Sequence, residues 1–149
     1  MVYLRSKDYD PNYYVSDAVE KAEAKIDYYL INAFREGHGC SILGWSSQAA
    51  QAAEDHSEDM AENNYFAHIS LDGLSPKSRM REQGITTSNA GENLAAGYQT
   101  ILNDHNGLVN SAGHRQNILS SAYQYVGVGV ACETPTKASE TYVTEDYYC

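Results

Sequence analysis

Ser111-Ala112-Gly113-His114-Arg115-Gln116-Asn117-Ile118-Leu119 packs a flexible turn, an imidazole, a guanidinium and two amides into one short stretch that ends on apolar residues. Ser111 stands where an N-cap belongs and predicts a short helix opening at Ala112. His114 then falls in the first turn, where the positive end of the helix dipole disfavours a second positive charge. Neutral imidazole is the form that binds metals and accepts protons. Taken alone, the stretch reads first as a helix start that His114 fills. What else it does depends on what the rest of the chain brings beside it.

Downstream, Tyr123 to Cys132 places Val126, Val128 and Val130 on one face of a strand and Gly127 and Gly129 on the other. A glycine face lets another segment come close to the backbone, and we expect that segment to be the one carrying Glu92 or His114. Glu133 to Glu140 reads as a loop and Tyr142 to Tyr148 as the return strand of an antiparallel hairpin. In simple register Cys132 faces the residues near 141 while Cys149 lies at the far end. That separation disfavours a 132–149 disulfide.

Upstream, Thr100 to Asn110 reads as a helix weakened by Gly107, and Ile85 to Tyr98 as partly extended around Gly91-Glu92-Asn93-Leu94. Ser75-Pro76 is a cap followed by proline at the first helical position, Gly84 closes that short helix, and Leu71-Asp72-Gly73 is a turn. Ser46 caps a helix running to about Asn63, with a buried stripe of Ala49, Ala52, Ala53, His56 and Met60. Alanines this dense admit a close neighbour, and His56 among them reads as a hydrogen-bonded core histidine. A first amphipathic helix spans residues 17 to 36, capped by Ser16, stopped by Gly37 and carrying Val19, Ala22, Ile26, Tyr29, Leu30, Ala33 and Phe34 as its apolar stripe. Residues 1–15 read as an extended arm, and residues 16–149 as one domain.

A chain of 149 residues with 42% hydrophobic and 20% charged residues fits a single globular domain with a full core. A net charge of −10 makes nucleic acid and anionic lipid surfaces poor partners. No apolar run is long enough to cross a bilayer. Met1-Val2-Tyr3-Leu4-Arg5 lacks the apolar run of a secretory leader, as an initiating Met on a mature domain would. Cys40, Cys132 and Cys149 show no metal or redox spacing. One disulfide plus a thiol, or three thiols, both remain open.

Four segments stand out in order: Tyr65-Phe66-Ala67-His68, Ala90-Gly91-Glu92-Asn93-Leu94-Ala95, Ser111 to Leu119, and Val126-Gly127-Val128-Gly129-Val130. In this order and spacing, with Trp45 and the run from His56 to Met60 upstream, the chain resembles the CAP superfamily of cysteine-rich secretory, antigen 5 and pathogenesis-related 1 proteins. It looks most like the bacterial SCP-like extracellular branch, over about residues 17 to 148. The resemblance implies an α+β fold, a three-layer α-β-α sandwich around a central antiparallel sheet. It also implies a cleft lined by two histidines and two acids, here His68, Glu92 and His114, with Ser111 in the fourth place and Leu108 where the family often has tryptophan. Asp104 and His105 are further candidates to reach the cleft from the preceding helix, although no motif puts them there.

His68, Glu92 and His114 are expected to converge. As residue types they form a His₂–carboxylate set suited to zinc or another divalent metal with positions left for water. They come from separate segments, without the His-Glu-x-x-His helix that would hold them locally. A polar network in which Asn93 and Asn117 tie backbone groups is the other reading of the same residues. The resemblance implies a secreted or cell-surface bacterial domain that binds a ligand or partner, such as a lipid or a cell-envelope component, through the cleft formed by His68, Glu92, His114, Ser111 and Asn93. It implies no shared enzymatic reaction. A metal-dependent hydrolase built on His68, Glu92 and His114, and a purely structural envelope module, are the alternatives.

Overall fold

Residues 17–132 and 141–149 are described in the computed structural model. The expected arm at 1–15, the Ser16 cap and the loop from Glu133 to Glu140 lie outside the described residues. In chain order the elements are α1 (Asp17–Gly37), β1 (Gly44–Trp45), α2 (Ser47–Asn63), α3 (Pro76–Glu82), β2 (Ala90–Tyr98), α4 (Ile101–Val109), α5 (Ala112–Leu119), β3 (Tyr125–Cys132) and β4 (Thr141–Tyr148). The strands form one sheet in the order β1-β3-β4-β2. β4 pairs antiparallel with both β3 and β2. The two-residue β1 departs from the expected antiparallel pattern and runs parallel to β3, pairing Gly44 with Tyr125 and Trp45 with Val126.

The helix boundaries follow the local chemistry. Ser46, Ser75 and Thr100 each accept a hydrogen bond from the backbone N–H three residues on, satisfying one orphan donor at the start of α2, α3 and α4. Gly84, which closes α3, has a φ of +92°, a conformation glycine adopts without penalty. β2 runs the full length from Ala90 to Tyr98, longer than its small residues suggest, because β4 supplies a complete antiparallel partner along it.

The glycine face of β3 sets the spacing of the layers. A Cβ on Gly127 would sit far inside contact distance of the backbone of Ala49 and Ala50, and one on Gly129 would meet the backbone of Ala53 and Glu54. The close neighbour is therefore α2, and not the segment carrying Glu92 or His114 expected from the sequence. The alanine stripe of α2 explains the exchange, since it offers no side chain to hold the strand away. Ser57 completes the seam by donating to the Gly129 carbonyl at 2.9 Å and sharing a 2.8 Å hydrogen bond with Thr144 Oγ1. On the opposite face Val126, Val128 and Val130 join Ile31, Leu108, Ile118 and Tyr147 in the main core. α1, α4 and α5 cover that face, with α2 and α3 on the other, giving the expected three layers.

α1 is rotated relative to its apolar stripe. Ile26 is 48% and Tyr29 66% exposed, and Val19, Ala22 and Ala33 also lie outward. The buried face is instead Ala24, Asp27, Ile31 and Arg35. Arg35 lies inward because its guanidinium donates to the carbonyls of Ser41, Ile118 and Ser120. These bonds tie α1 to the end of α5 and satisfy a buried charge.

β4 lies between two strands and beneath helices on both faces, so consecutive residues are buried on opposite sides. Glu145 and Asp146 are both fully buried in this way. Glu145 lies beside the carboxyl of Asp27 of α1, and Asp146 beside that of Glu92 of β2, and burial together with these neighbouring acids raises both. Cys40, Cys132 and Cys149 are all free thiols. Cys132 pairs in register with Thr141, at the opposite end of the hairpin from Cys149.

Candidate functional site

Glu92 is the centre of the site. Its side chain is 1% exposed, and both carboxylate oxygens are occupied. His68 Nδ1 donates to Oε1 at 2.8 Å, and Arg79 Nη2 pairs with Oε2. Burial pushes the Glu92 carboxyl up, but the hydrogen bond from His68, the neighbouring Asp146 carboxyl and the charge of Arg79 outweigh it, so the group sits below the usual carboxylate range. The same hydrogen bond raises His68 above the ordinary imidazole value, against the smaller opposing effect of its partial burial. His68 keeps 55% of its side chain exposed, so the pair presents an oriented imidazole to solvent with Nε2 free of Glu92.

Arg79 was not legible as a site residue. It lies on the short helix α3 and is buried with its neighbour Met80. Besides Glu92 it donates through Nη1 to the His68 carbonyl, Ser70 Oγ and the Leu74 carbonyl. One guanidinium thus holds the backbone of His68, the turn that follows and the carboxylate that orients the ring. The fixed fork of Arg suits such a junction in a way that the point charge of Lys does not.

α5 docks on the same part of β2. Asn117 Nδ2 donates to the Glu92 carbonyl at 3.2 Å and to Asn93 Oδ1 at 2.9 Å. Asn93 Nδ2 donates to the His114 carbonyl at 3.0 Å and to Glu145 Oε1 at 3.1 Å. The network read into Asn93 and Asn117 is therefore present, and it places the helix carrying His114 across the open edge of β2. Ser111 occupies the N-cap position of α5 but makes no side-chain cap bond. Its hydroxyl is hydrogen-bonded to His114 Nδ1 at 2.8 Å, which fixes the second ring.

Asp104 and His105 do not join this group. Asp104 Oδ2 accepts from Thr141 Oγ1 at 2.6 Å, and His105 Nδ1 lies 3.5 Å from Asp27 Oδ1. Both face inward from α4 toward α1 and β4, because α4 turns its buried side to the core. His56 behaves as a core histidine, with Nε2 donating to the Ala67 carbonyl at 2.8 Å. Burial raises the Cys132 thiol to about 12, which removes it as a nucleophile near neutral pH.

Residues 28–147 match the sequence profile of the cysteine-rich secretory protein family, CAP. The chain belongs to this family. It is 44% identical over 101 residues to an uncharacterized membrane protein of Bacillus subtilis, YlbC, a match that covers 68% of this chain and 29% of that protein. Among solved structures, an extracellular protein of Bacillus anthracis containing an SCP domain is 28% identical with a TM-score of 0.81, covering 99% of this chain and 45% of that one. An outer surface protein of Borrelia burgdorferi shares the fold, with a TM-score of 0.80 at 18% identity over 92% of this chain and 97% of its own. The chain thus spans less than half the length of YlbC and of the Bacillus anthracis protein. No helix among the described residues is long and apolar enough to cross a membrane.

For a metal in this CAP domain, the donor set is narrower than the residue types suggest. Glu92 spends both oxygens on His68 and Arg79, so it acts on His68 as an orienting partner rather than offering a free ligand atom. The nitrogens left for a metal are the Nε2 atoms of His68 and His114, since each Nδ1 is already bonded. Among the described residues the ligand atoms of His68, Glu92 and His114 do not form a group lying within 4.8 Å of one another, so the arrangement is not a preformed three-ligand metal site.

Proposed function

We propose that this CAP domain binds a ligand or partner through the face where His68, Glu92 and α5 meet, and that it does so outside the cell or at the cell surface. The observation that carries the reading is the saturation of Glu92. A carboxylate held by His68 and by a buried arginine is poorly placed to take a proton from water, yet well placed to orient a solvent-facing imidazole. The arrangement therefore favours recognition over hydrolysis. The extracellular and outer-surface relatives support the location. A lipid or cell-envelope component remains the ligand class, with zinc or another divalent ion as a weak occupant of the two imidazoles.

Zinc is expected to bind at about 1 µM or weaker, with heat that falls markedly in His68→Ala and in His114→Ala. Isothermal titration calorimetry measures this directly. Asp17, Glu20 and Glu58 bring three carboxylate oxygens within 4.8 Å of one another on the surface, so Glu58→Gln serves as the control for unrelated zinc uptake. Heats equal to wild type in both histidine variants would end the reading of this face as a histidine-built site.

A further inference from the structure

The sheet has one lane that is only partly filled, at the end opposite the strand carrying Glu92. β1 is the edge strand beside β3 and pairs with it only at Tyr125 and Val126, whereas β3 runs on to Cys132. Two hydrogen bonds fix which backbone groups of β3 face that lane. Ser46 N–H donates to the Val126 carbonyl at 2.9 Å, and Cys132 N–H donates to Glu20 Oε1 at 2.9 Å. Alternate residues of a strand turn their N–H and C=O to the same edge, so Val128 and Val130 face the lane as well. Among the described residues no backbone group or side chain pairs with them on that side. Successive outward groups lie about 6.6 Å apart, the repeat of a partner strand. Backbone groups inside a protein are nearly always paired, so the lane is a strand position left open.

A cavity of about 270 Å³ occupies the open part of the lane. Val128, Gly129 and Val130 line it along β3, and Trp45 and Ser47 line it where β1 ends and the chain turns into α2. Ala24 of α1 and Ala50 of α2 line it too, and side chains this small keep the two helices from closing it. The charges around the opening are balanced, with Lys21 and Lys25 against Glu20 and Glu54. They are also engaged. Lys25 lies over the Trp45 ring at 4.1 Å, Lys21 pairs with Asp17 at 3.1 Å, and Glu20 holds the Cys132 N–H. On a chain of net charge −10 this stretch is locally neutral, so the complementary partner is an uncharged one.

We propose that this lane takes an extended, uncharged peptide segment of a partner protein as an added strand on β3. The guest backbone pairs with Val128 and Val130 and continues the pairing that β1 begins. Its side chains alternate toward Ala24 and Ala50, which select small ones. The site shares no residue with the histidine face.

The test is an NMR titration of the full chain that reads the backbone amides of Val128 and Val130. The probe is a capped pentapeptide of alternating serine and valine. Both amides are expected to shift saturably, with a Kd of about 0.1–1 mM for so short a strand, while the signals of His68 and His114 stay in place. The same peptide with every backbone nitrogen methylated keeps its side chains but cannot complete the ladder, and should bind at least about tenfold more weakly. Ala50→Phe fills the slot from a half-buried helix position and should abolish the shift in a protein that still melts cooperatively. The proposal is overturned if neither amide shifts saturably, which leaves the lane to water, or if the methylated peptide matches its parent. Unchanged binding by folded Ala50→Phe would overturn it as well. So would nuclear Overhauser contacts from these amides to residues 1–16 or 133–140 in the free chain, which would show that the chain fills its own lane.

Discussion

Gly129→Ala is expected to cost the domain more than about 3 kcal/mol, and Gly129→Val to leave it without a cooperative melting transition. Overpacking in a core commonly costs about 1–3 kcal/mol because side chains move aside. Here the obstacle is the backbone of Ala53 and Glu54, which cannot rotate out of the way. α2 would have to lift off β3, breaking the hydrogen bond from Ser57 to the Gly129 carbonyl and parting the alanine stripe from the sheet. Strand propensity alone points the other way, favouring valine over glycine by up to about 1 kcal/mol. Thermal or urea melts decide between them. A melting temperature at or above wild type for Gly129→Ala would show that α2 does not rest on the strand.

Arg79→Ala is expected to destabilise by about 3–5 kcal/mol, the usual cost of leaving one member of a buried ion pair without its partner. Glu92 would be stranded in a nearly closed site beside Asp146. The carbonyls of His68 and Leu74 would lose their donor as well. The double variant Arg79→Met, Glu92→Gln should recover much of the loss, because it removes both charges together. Urea melts of the single and double variants form the cycle. A single variant within about 1 kcal/mol of wild type, or a double variant as unstable as the single, would rule out the ion pair as what fixes this corner.

The sequence showed the element order, the Ser46 and Ser75 caps and the hairpin register because these depend on local chemistry. Ser75-Pro76 marks a helix start and the alternating Val and Gly of β3 a strand within a few residues, whereas the neighbour of the glycines, α2 and not the segment carrying Glu92 or His114, was not written locally. The sequence also hid charges that fold inward. The apolar positions of α1 pointed to the wrong face, because groups far away in the chain surround its buried charges, Glu145 and His105 beside Asp27 and the carbonyls of Ile118 and Ser120 on Arg35. Arg79 was invisible for the same reason. An arginine on a short helix looks solvated until Glu92 and the carbonyls it serves are seen around it. In the site, motif order singled out His68, Glu92, Asn93 and His114, and the structure pairs His68 with Glu92 and Asn93 with the His114 carbonyl. Motif order did not show that Glu92 is fully occupied, or that the Ser111 hydroxyl serves an imidazole instead of a helix end.

The buried acids on the two faces of β4 make folding a proton-binding reaction. Burial raises Asp27 to about 6 and Asp104 to about 7. Burial and the neighbouring acids hold Glu145 and Asp146 well above their ordinary values. The unfolded chain gives up these protons near pH 4, whereas the native domain retains them toward neutrality. Groups raised on folding contribute their stability at low pH and lose it as pH climbs past the unfolded values. His68, also raised, acts in the same direction above pH 6.5. Glu92, which is lowered, opposes them in the acid range where it protonates, and His56 and His105, lowered by burial, oppose them below about pH 6.5, but the acids are the more numerous. The domain should therefore melt at a higher temperature at pH 5 than at pH 8, and folding near neutrality should take up protons from the buffer. Calorimetric melts in buffers of different ionisation enthalpy read that uptake. Proton release on folding, or a melting temperature that rises toward pH 8, would mean that the β4 acids ionise within the fold.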